Sequence, residues 1–269
     1  MTVTDVQKVV ILARGLGTRM RAQNAEAALS AEQSAAADTG VKALVPVGRP
    51  FLDHVLSELA DAGFTKACLV IGPEHDAVRR HYDSLDLTRI SVDYAVQEEP
   101  QGTANAVLAA ADWVADDRFA VVNSDNLYPA AASAQLRALP GAGLVGYEPE
   151  ALLAGIAPER VRGFAIIESV GGQLVRLIEK PSAETLAAWG PKLLVSMNHW
   201  LFTPSILAAA RDVPLSSRGE YELPQAVALD ISRGTPYDVV TAAMQVLDLS
   251  SRDDIARVTA ALADHEVTL

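Results

Sequence analysis

Apolar residues recur along the chain in short runs separated by polar turns, and their spacing switches between that of strands and that of helices. Val9-Val10-Ile11-Leu12-Ala13 is an unbroken, mostly β-branched run, the pattern of a strand covered on both faces. Residues 51–62 carry Leu52, Val55, Leu56 and Leu59 at helical spacing, with Pro50 ahead and Gly63 as a C-cap. The alternation continues with strands over 66–71, 90–96, 119–122 and 143–147 and helices over 74–82, 102–114 and 129–139. The second half changes character. Residues 164–167 and 173–178 read as paired strands around Gly171-Gly172, and 193–202 as a further strand. Helices follow over 204–210 and 222–232, short strands over 237–240 and 244–249, and a last helix over 252–263. Ser250 or Ser251, three residues before an aspartate, supplies that helix with a capping box. Strand–helix repetition with short connections predicts an α/β fold: a doubly wound, mainly parallel, Rossmann-like mixed sheet with helices on both faces. Ligands in such sheets bind beyond the carboxyl ends of the strands.

Two such ends carry chemistry. After the first strand, Gly15-Leu16-Gly17-Thr18-Arg19-Met20 places two glycines, a hydroxyl and an arginine in one turn. Glycines let the backbone approach an anion closely, consecutive N–H groups cradle it, and an arginine adds a permanently charged fork. The loop is not a P-loop, since no Lys-Ser or Lys-Thr follows. It also lacks the third small residue of the dinucleotide fingerprint, where Met20 stands. A plain strand-to-helix turn is the alternative. After the strand over 119–122 comes Asn123-Ser124-Asp125-Asn126, either a metal-facing carboxylate or an Asx turn.

Composition narrows the function. The 269 residues are 50% hydrophobic, enough for a large core, and carry 34 acidic against 22 basic side chains for a net charge of −12. That balance argues against nucleic-acid partners and against anionic membranes, and leaves room for a local basic phosphate pocket. The single Cys68 lies in the apolar run 67–71 and reads as a core residue, and a cytoplasmic protein is expected.

The loops form an ordered set: Gly15-Leu16-Gly17-Thr18-Arg19-Met20, Lys42-Ala43-Leu44-Val45-Pro46-Val47, Gln101-Gly102-Thr103-Ala104, Asn123-Ser124-Asp125-Asn126, Glu179-Lys180-Pro181, Asn198, Gly219-Glu220-Tyr221-Glu222-Leu223 and Asp248. In this order they resemble the sugar-1-phosphate nucleotidylyltransferases, over nearly the whole chain. The resemblance implies one domain over 1–269, with an NTP-binding half to about residue 125 and a sugar-phosphate half beyond it. It implies transfer of a nucleotidyl group from an NTP to a sugar 1-phosphate, or to a cyclitol phosphate, with release of pyrophosphate and the help of Mg2+. The implied roles are catalytic for Arg19, Lys42 and Lys180, and metal-holding for Asp125 and Asp248. Leu12, Ala13, Gly15, Gly17, Thr18, Gln97, Gly102 and Thr103 would bind the nucleotide, and Gly163, Glu179 and Asn198 the sugar. Asp248 also suits a helix cap, and Glu179-Lys180 an ordinary charge pair. His199 reads as a structural hydrogen-bonder. A homo-oligomer is compatible with the family.

This chain departs from the family's usual pattern in four places. Arg14 stands where alanine or glycine is common, Val41 where proline precedes the lysine, and Ser124 where glycine precedes the aspartate. The stretch from Arg19 to Lys42 is longer by about a dozen residues, and its alanine-rich part over 21–40 reads as either an exposed helix or a lid that NTP would order. The rival readings are a molybdenum-cofactor-type nucleotidylyltransferase and a catalytically silent nucleotide-binding regulator.

Overall fold

The computed structural model describes residues 5–22, 24, 27, 29–189 and 193–269. The strands in chain order are β1 (Lys8–Leu12), β2 (Lys66–Ile71), β3 (Ser91–Val96), β4 (Phe119–Asn123), β5 (Asn126–Leu127), β6 (Ala142–Tyr147), β7 (Ile166–Val170), β8 (Gln173–Ile178), β9 (Val195–Phe202), β10 (Tyr237–Ala242) and β11 (Leu247–Asp248). The helices are α1 (Thr18–Arg21), α2 (Ala31–Thr39), α3 (Phe51–Asp61), α4 (Asp76–Asp83), α5 (Thr103–Ala109), α6 (Ala111–Val114), α7 (Ala130–Arg137), α8 (Pro149–Leu152), α9 (Pro158–Val161), α10 (Ala183–Trp189), α11 (Ser205–Asp212), α12 (Leu223–Ser232) and α13 (Arg252–Ala261).

The large sheet runs β3-β2-β1-β4-β9-β6-β10-β8-β7, and β5 pairs with β11 in a small sheet of its own. Strands β3, β2, β1 and β4 are mutually parallel, while β9 runs antiparallel to both β4 and β6. The unbroken apolar runs are explained by two covered faces. Ile11, Leu69 and Val122 pack on one side with Leu52, Val55 and Leu56 of α3. Val10, Val70 and Val121 pack on the other with Val107 of α5, Ile206 of α11 and Val227 of α12. Cys68 is buried on that second face, and burial pushes its thiol up to about 12. Among the described residues no helix is long and apolar enough to cross a membrane.

Two elements differ from their sequence pattern. The helix expected over 102–114 breaks at Ala110 into α5 and α6, with Ala110 at φ −92° and ψ 5°. The strand expected over 244–249 contracts to Leu247–Asp248, because its partner β5 is only two residues long.

Part of the alanine-rich stretch over 21–40 is a helix, the first of its two expected forms. Ser30 and Gln33 form a capping box at the start of α2, and Gly40 ends it in the left-handed region at φ 75°. The helix is tied down by polar contacts rather than by apolar burial. Arg252 of α13, its side chain 3% exposed, donates to the Ala22 carbonyl at 3.1 Å and to Ser34 Oγ at 3.4 Å, and pairs with Asp38. Arg21 donates from Nε and Nη2 to the Thr39 carbonyl at 3.1 and 2.8 Å. Arg252→Ala should therefore loosen α2 without disturbing β1 or β4. Hydrogen exchange should show protection over 31–39 falling by about 2 kcal/mol, the worth of a charged hydrogen bond, with protection in the central strands unchanged.

Candidate active site

The carboxyl ends of β1, β3 and β4 open into one cavity of about 340 Å³. Its walls include Leu12, Ala13, Gly15, Lys42, Gln97, Gly102, Thr103 and Asp125, eight of the residues singled out in the sequence. Arg14, Asn123, Ser124 and Glu220 line it too.

The glycine loop divides in two. Gly15 and Leu16 face the cavity, while Gly17 turns away at φ 60° as the residue before α1. A Cβ on Gly17 would collide with the Gly40 carbonyl, so its glycine serves the close approach of α1 to the end of α2. Thr18 and Arg19 are exposed on α1 and do not line the cavity. On the opposite wall Gln97 is 5% exposed and its amide is fixed. Nε2 donates to the Gly102 carbonyl at 3.1 Å and to Asn105 Oδ1 at 2.7 Å. Gly102 sits at φ 112°, and any side chain there would strike the Tyr221 backbone. Thr103 has a structural duty as well, since its Oγ1 accepts from Leu223 N–H at 2.9 Å.

Asp125 and Asp248 are brought together by backbone. Asp248 pairs across from Asn126, and Leu249 N–H donates to the Asp125 carbonyl at 2.8 Å. Each carboxylate is met by a cation: Lys42 Nζ lies 2.7 Å from Asp125 Oδ2, and Arg160 of α9 pairs with Asp248. Ser250 Oγ also donates to Asp248, and Arg160 reaches Asp254 at 2.9 Å. Burial, and then the nearby Asp125 charge, hold the Asp248 carboxyl above its ordinary range against the pull of Arg160. Capping is not the role of Asp248: the capping box of α13 is made by Ser251 and Asp254.

The residues proposed for the sugar lie outside the lining of this cavity. Lys180 and Asn198 both occupy the left-handed region, at φ 45° and 56°, where a side-chain-bearing residue is strained. Glu179 is raised by burial, and its charged neighbours are Arg218, Glu222 and Lys180. That places Glu179-Lys180 beside the 216–222 loop, whose Glu220 reaches the cavity wall. Nothing in the conformation at Gly163 requires a glycine: its φ is not positive and a Cβ would make an ordinary 3.4 Å contact. His199 is buried, with Nδ1 2.9 Å from the Tyr147 hydroxyl and Nε2 3.3 Å from Ser133 Oγ, and burial lowers its pKa to about 3. It is structural, as expected.

The sequence pattern did not point to Arg160. Arg160 lies only three residues before Gly163, and its partner is 88 residues away. No local pattern marks such a pair.

The fold places a cavity beyond the carboxyl ends of the central strands, and comparison places the chain in a family. The model of the family described as "Nucleotidyl transferase" matches residues 8–264, and the chain belongs to that family. A UTP–glucose-1-phosphate uridylyltransferase of Haloferax volcanii, AglF, is 28% identical over 252 residues, covering 92% of this chain and 93% of that protein. A glucose-1-phosphate thymidylyltransferase of Streptomyces antibioticus is 30% identical over 84% of this chain, which spans 58% of that protein's length. In fold, a UDP-glucose pyrophosphorylase solved with UDP-glucose superposes with a TM-score of 0.73 at 18% identity, over 97% of this chain and 100% of the other.

The raised Asp248 has a measurable consequence. An acid with a raised folded pKa contributes stability that is fully present below its ordinary value of 3.8 and lost as pH rises through the folded value. At about pH 7 Asp248→Asn should therefore raise the melting temperature of the metal-free protein. The advantage should vanish below about pH 4. Calorimetry of both proteins across this range measures it.

Proposed function

We propose that this protein transfers a nucleotidyl group from an NTP to a sugar 1-phosphate or a closely similar cyclitol phosphate, releasing pyrophosphate. The observation that carries the reading is the Lys42–Asp125 pair in the wall of a cavity that also holds Gly15 and Gln97, with Asp248 buried behind the lining and held next to Asp125 by the β5–β11 pairing. The named activities of the relatives, uridylyl and thymidylyl transfer to glucose 1-phosphate, support it.

The reaction is an in-line attack by a sugar-phosphate oxygen on the α-phosphorus. Its nucleophile is already anionic, so no general base is needed, and the protein's work is alignment and charge neutralisation. Lys42, 14% exposed and fixed by Asp125, brings a positive charge to the cavity wall where the α-phosphate would lie. Backbone N–H groups around Gly15 would cradle the phosphates, and Arg19, exposed on α1, would take the departing pyrophosphate. Lys180 would pair with the sugar phosphate, with Glu179 and Asn198 accepting or donating to sugar hydroxyls.

Asp125 and Asp248 suit a hard divalent cation. They are two neighbouring oxygen donors, Asp248 raised first by burial and then by the charge of Asp125, and no group of three or more ligands is found among the described residues. Mg2+ binds through one or two carboxylates completed by waters and substrate phosphates, and when bound it would supply further neutralisation of phosphate charge.

A panel of NTPs against sugar 1-phosphates, read by pyrophosphate release, tests the reaction, and pyrophosphate release in no combination would refute it. Asp125→Asn should lower kcat by roughly a hundredfold or more, the usual cost of one transition-state contact, while the melting temperature stays close to that of the parent. Lys180→Ala should raise the KM for sugar phosphate about tenfold or more through loss of a charged contact. The KM for NTP should move much less, and steady-state kinetics with each substrate varied in turn would show it.

A further inference from the structure

At the carboxyl edge of the sheet, register puts three residues in one row. Leu12 pairs with Val70, and Val70 with Ala95. Two residues further along each strand stand Arg14, Gly72 and Gln97. The ladder persists that far, with Ala13 N–H donating to the Val70 carbonyl and Gln97 N–H to the Ile71 carbonyl, both at 2.9 Å. Because side chains alternate, Arg14 and Gln97 project from the same face as Leu12 and Ala95. Between them is a glycine.

The space beside Gly72 is filled by the Arg14–Glu74 pair. A Cβ on Gly72 would lie 2.4 Å from Glu74 Oε2 and 2.5 Å from Arg14 Nε, both movable side-chain ends, and the φ of Gly72 is not positive, so the glycine leaves this room to the two side chains. The Arg14 side chain is only 8% exposed. Its Nε and Nη1 are buried and have no acceptor among the described residues, and Nη2 lies 3.5 Å from Glu74 Oε2 at the limit of a hydrogen bond. Buried guanidinium donors without acceptors are costly, and a ligand that supplies an acceptor removes the cost. Arg14 and Gln97 both line the cavity. Gln97 has committed its amide nitrogen to Gly102 and Asn105, so it can offer a ligand only its carbonyl oxygen.

We propose that Arg14 is a second reader of the NTP's base, working beside the Gln97 that the family resemblance already gives to the nucleotide, and that it selects a base with a lactam edge. Gln97 Oε1 accepts the ring N–H, and Arg14 donates to the adjacent carbonyl. Guanine, uracil and thymine all carry that edge. Adenine and cytosine place a ring lone pair against Oε1 and an amino group against the guanidinium, two repulsive contacts. The proposal rests on taking this cavity as the NTP site. A phosphate is the wrong partner for the row. The Gln97 carbonyl would repel it, and the row extends from β1 across β2 to β3, away from Lys42 and Asp125 beside β4. At ~4.8 Å per strand, β2 lies about 10 Å from β4.

The test uses two matched pairs of Mg-nucleotides, ITP with ATP and UTP with CTP, which exchange a lactam for an amino edge within one ring size. Calorimetric titration without sugar phosphate should show that the intact protein prefers the lactam member of at least one pair. Arg14→Ala should shrink that preference by about tenfold to a hundredfold, the worth of a charged hydrogen bond. Gly72→Ala, whose new methyl displaces the guanidinium, should shrink it too while leaving the melting temperature unchanged. If Arg14→Ala fails to fold, Arg14→Lys keeps the charge without the planar fork, and the same loss is expected. Equal weakening of all four nucleotides would assign Arg14 to phosphate and overturn the proposal. A missing preference, or one unchanged in the variants, would overturn it as well. Selective binding without pyrophosphate release on any sugar phosphate would refute the catalytic reading and leave the base reader standing. No binding of any nucleotide would refute both.

Discussion

Two carboxylates that repel one another are tied side by side by a backbone bridge two residues long. The pairing of β11 on β5 fixes where Asp248 stands relative to Asp125, and the surrounding charge answers that placement. Lys42 meets one acid and Arg160 meets the other. Asp254 holds Arg160 and caps α13, and it also pairs with Arg257 at 2.6 Å. The apolar ladders of β1, β4 and β9 absorb the cost of this arrangement. Val10, Phe119, Val121, Trp200 and Phe202 are fully or almost fully buried beneath the site. Stability sacrificed at a binding cleft and recovered in the core is the common compromise of enzymes.

How much of this could be read from the chain depended on the range of the interaction concerned. The strands were legible because covering both faces of a sheet demands unbroken apolar runs, and that demand is local. Asp125 was legible for a related reason, standing just past β4 where such sheets hold ligands. Asp248 ends a short strand that the sequence pattern overextended, and it was reached only through resemblance. Arg160 could not be seen, because its meaning lies wholly in a partner distant along the chain. The row Arg14–Gly72–Gln97 is the sharpest case. Arg14 and Gln97 were visible singly, but their alignment across Gly72 exists only once three strands have taken a common register.

The long connection between Arg19 and Lys42 shows the same dependence. Its alanine content favours helix, and α2 forms, yet α2 buries little apolar surface of its own. What holds it is a buried arginine on the last helix, drawing the early and late parts of the chain together beside the glycine loop.

The strip from Glu220 to Leu223 is stitched on its cavity side by three contacts. Tyr221 N–H donates to the Gln101 carbonyl at 2.8 Å, Ala104 N–H to the Tyr221 carbonyl at 2.9 Å, and Leu223 N–H to Thr103 Oγ1 at 2.9 Å. Its other side faces the charges of Glu179 and Lys180. One piece of backbone thus stands between the cavity and that charged pair. Any free energy that a contact on one face couples to the other through this strip is shared equally in both directions, as thermodynamic reciprocity requires.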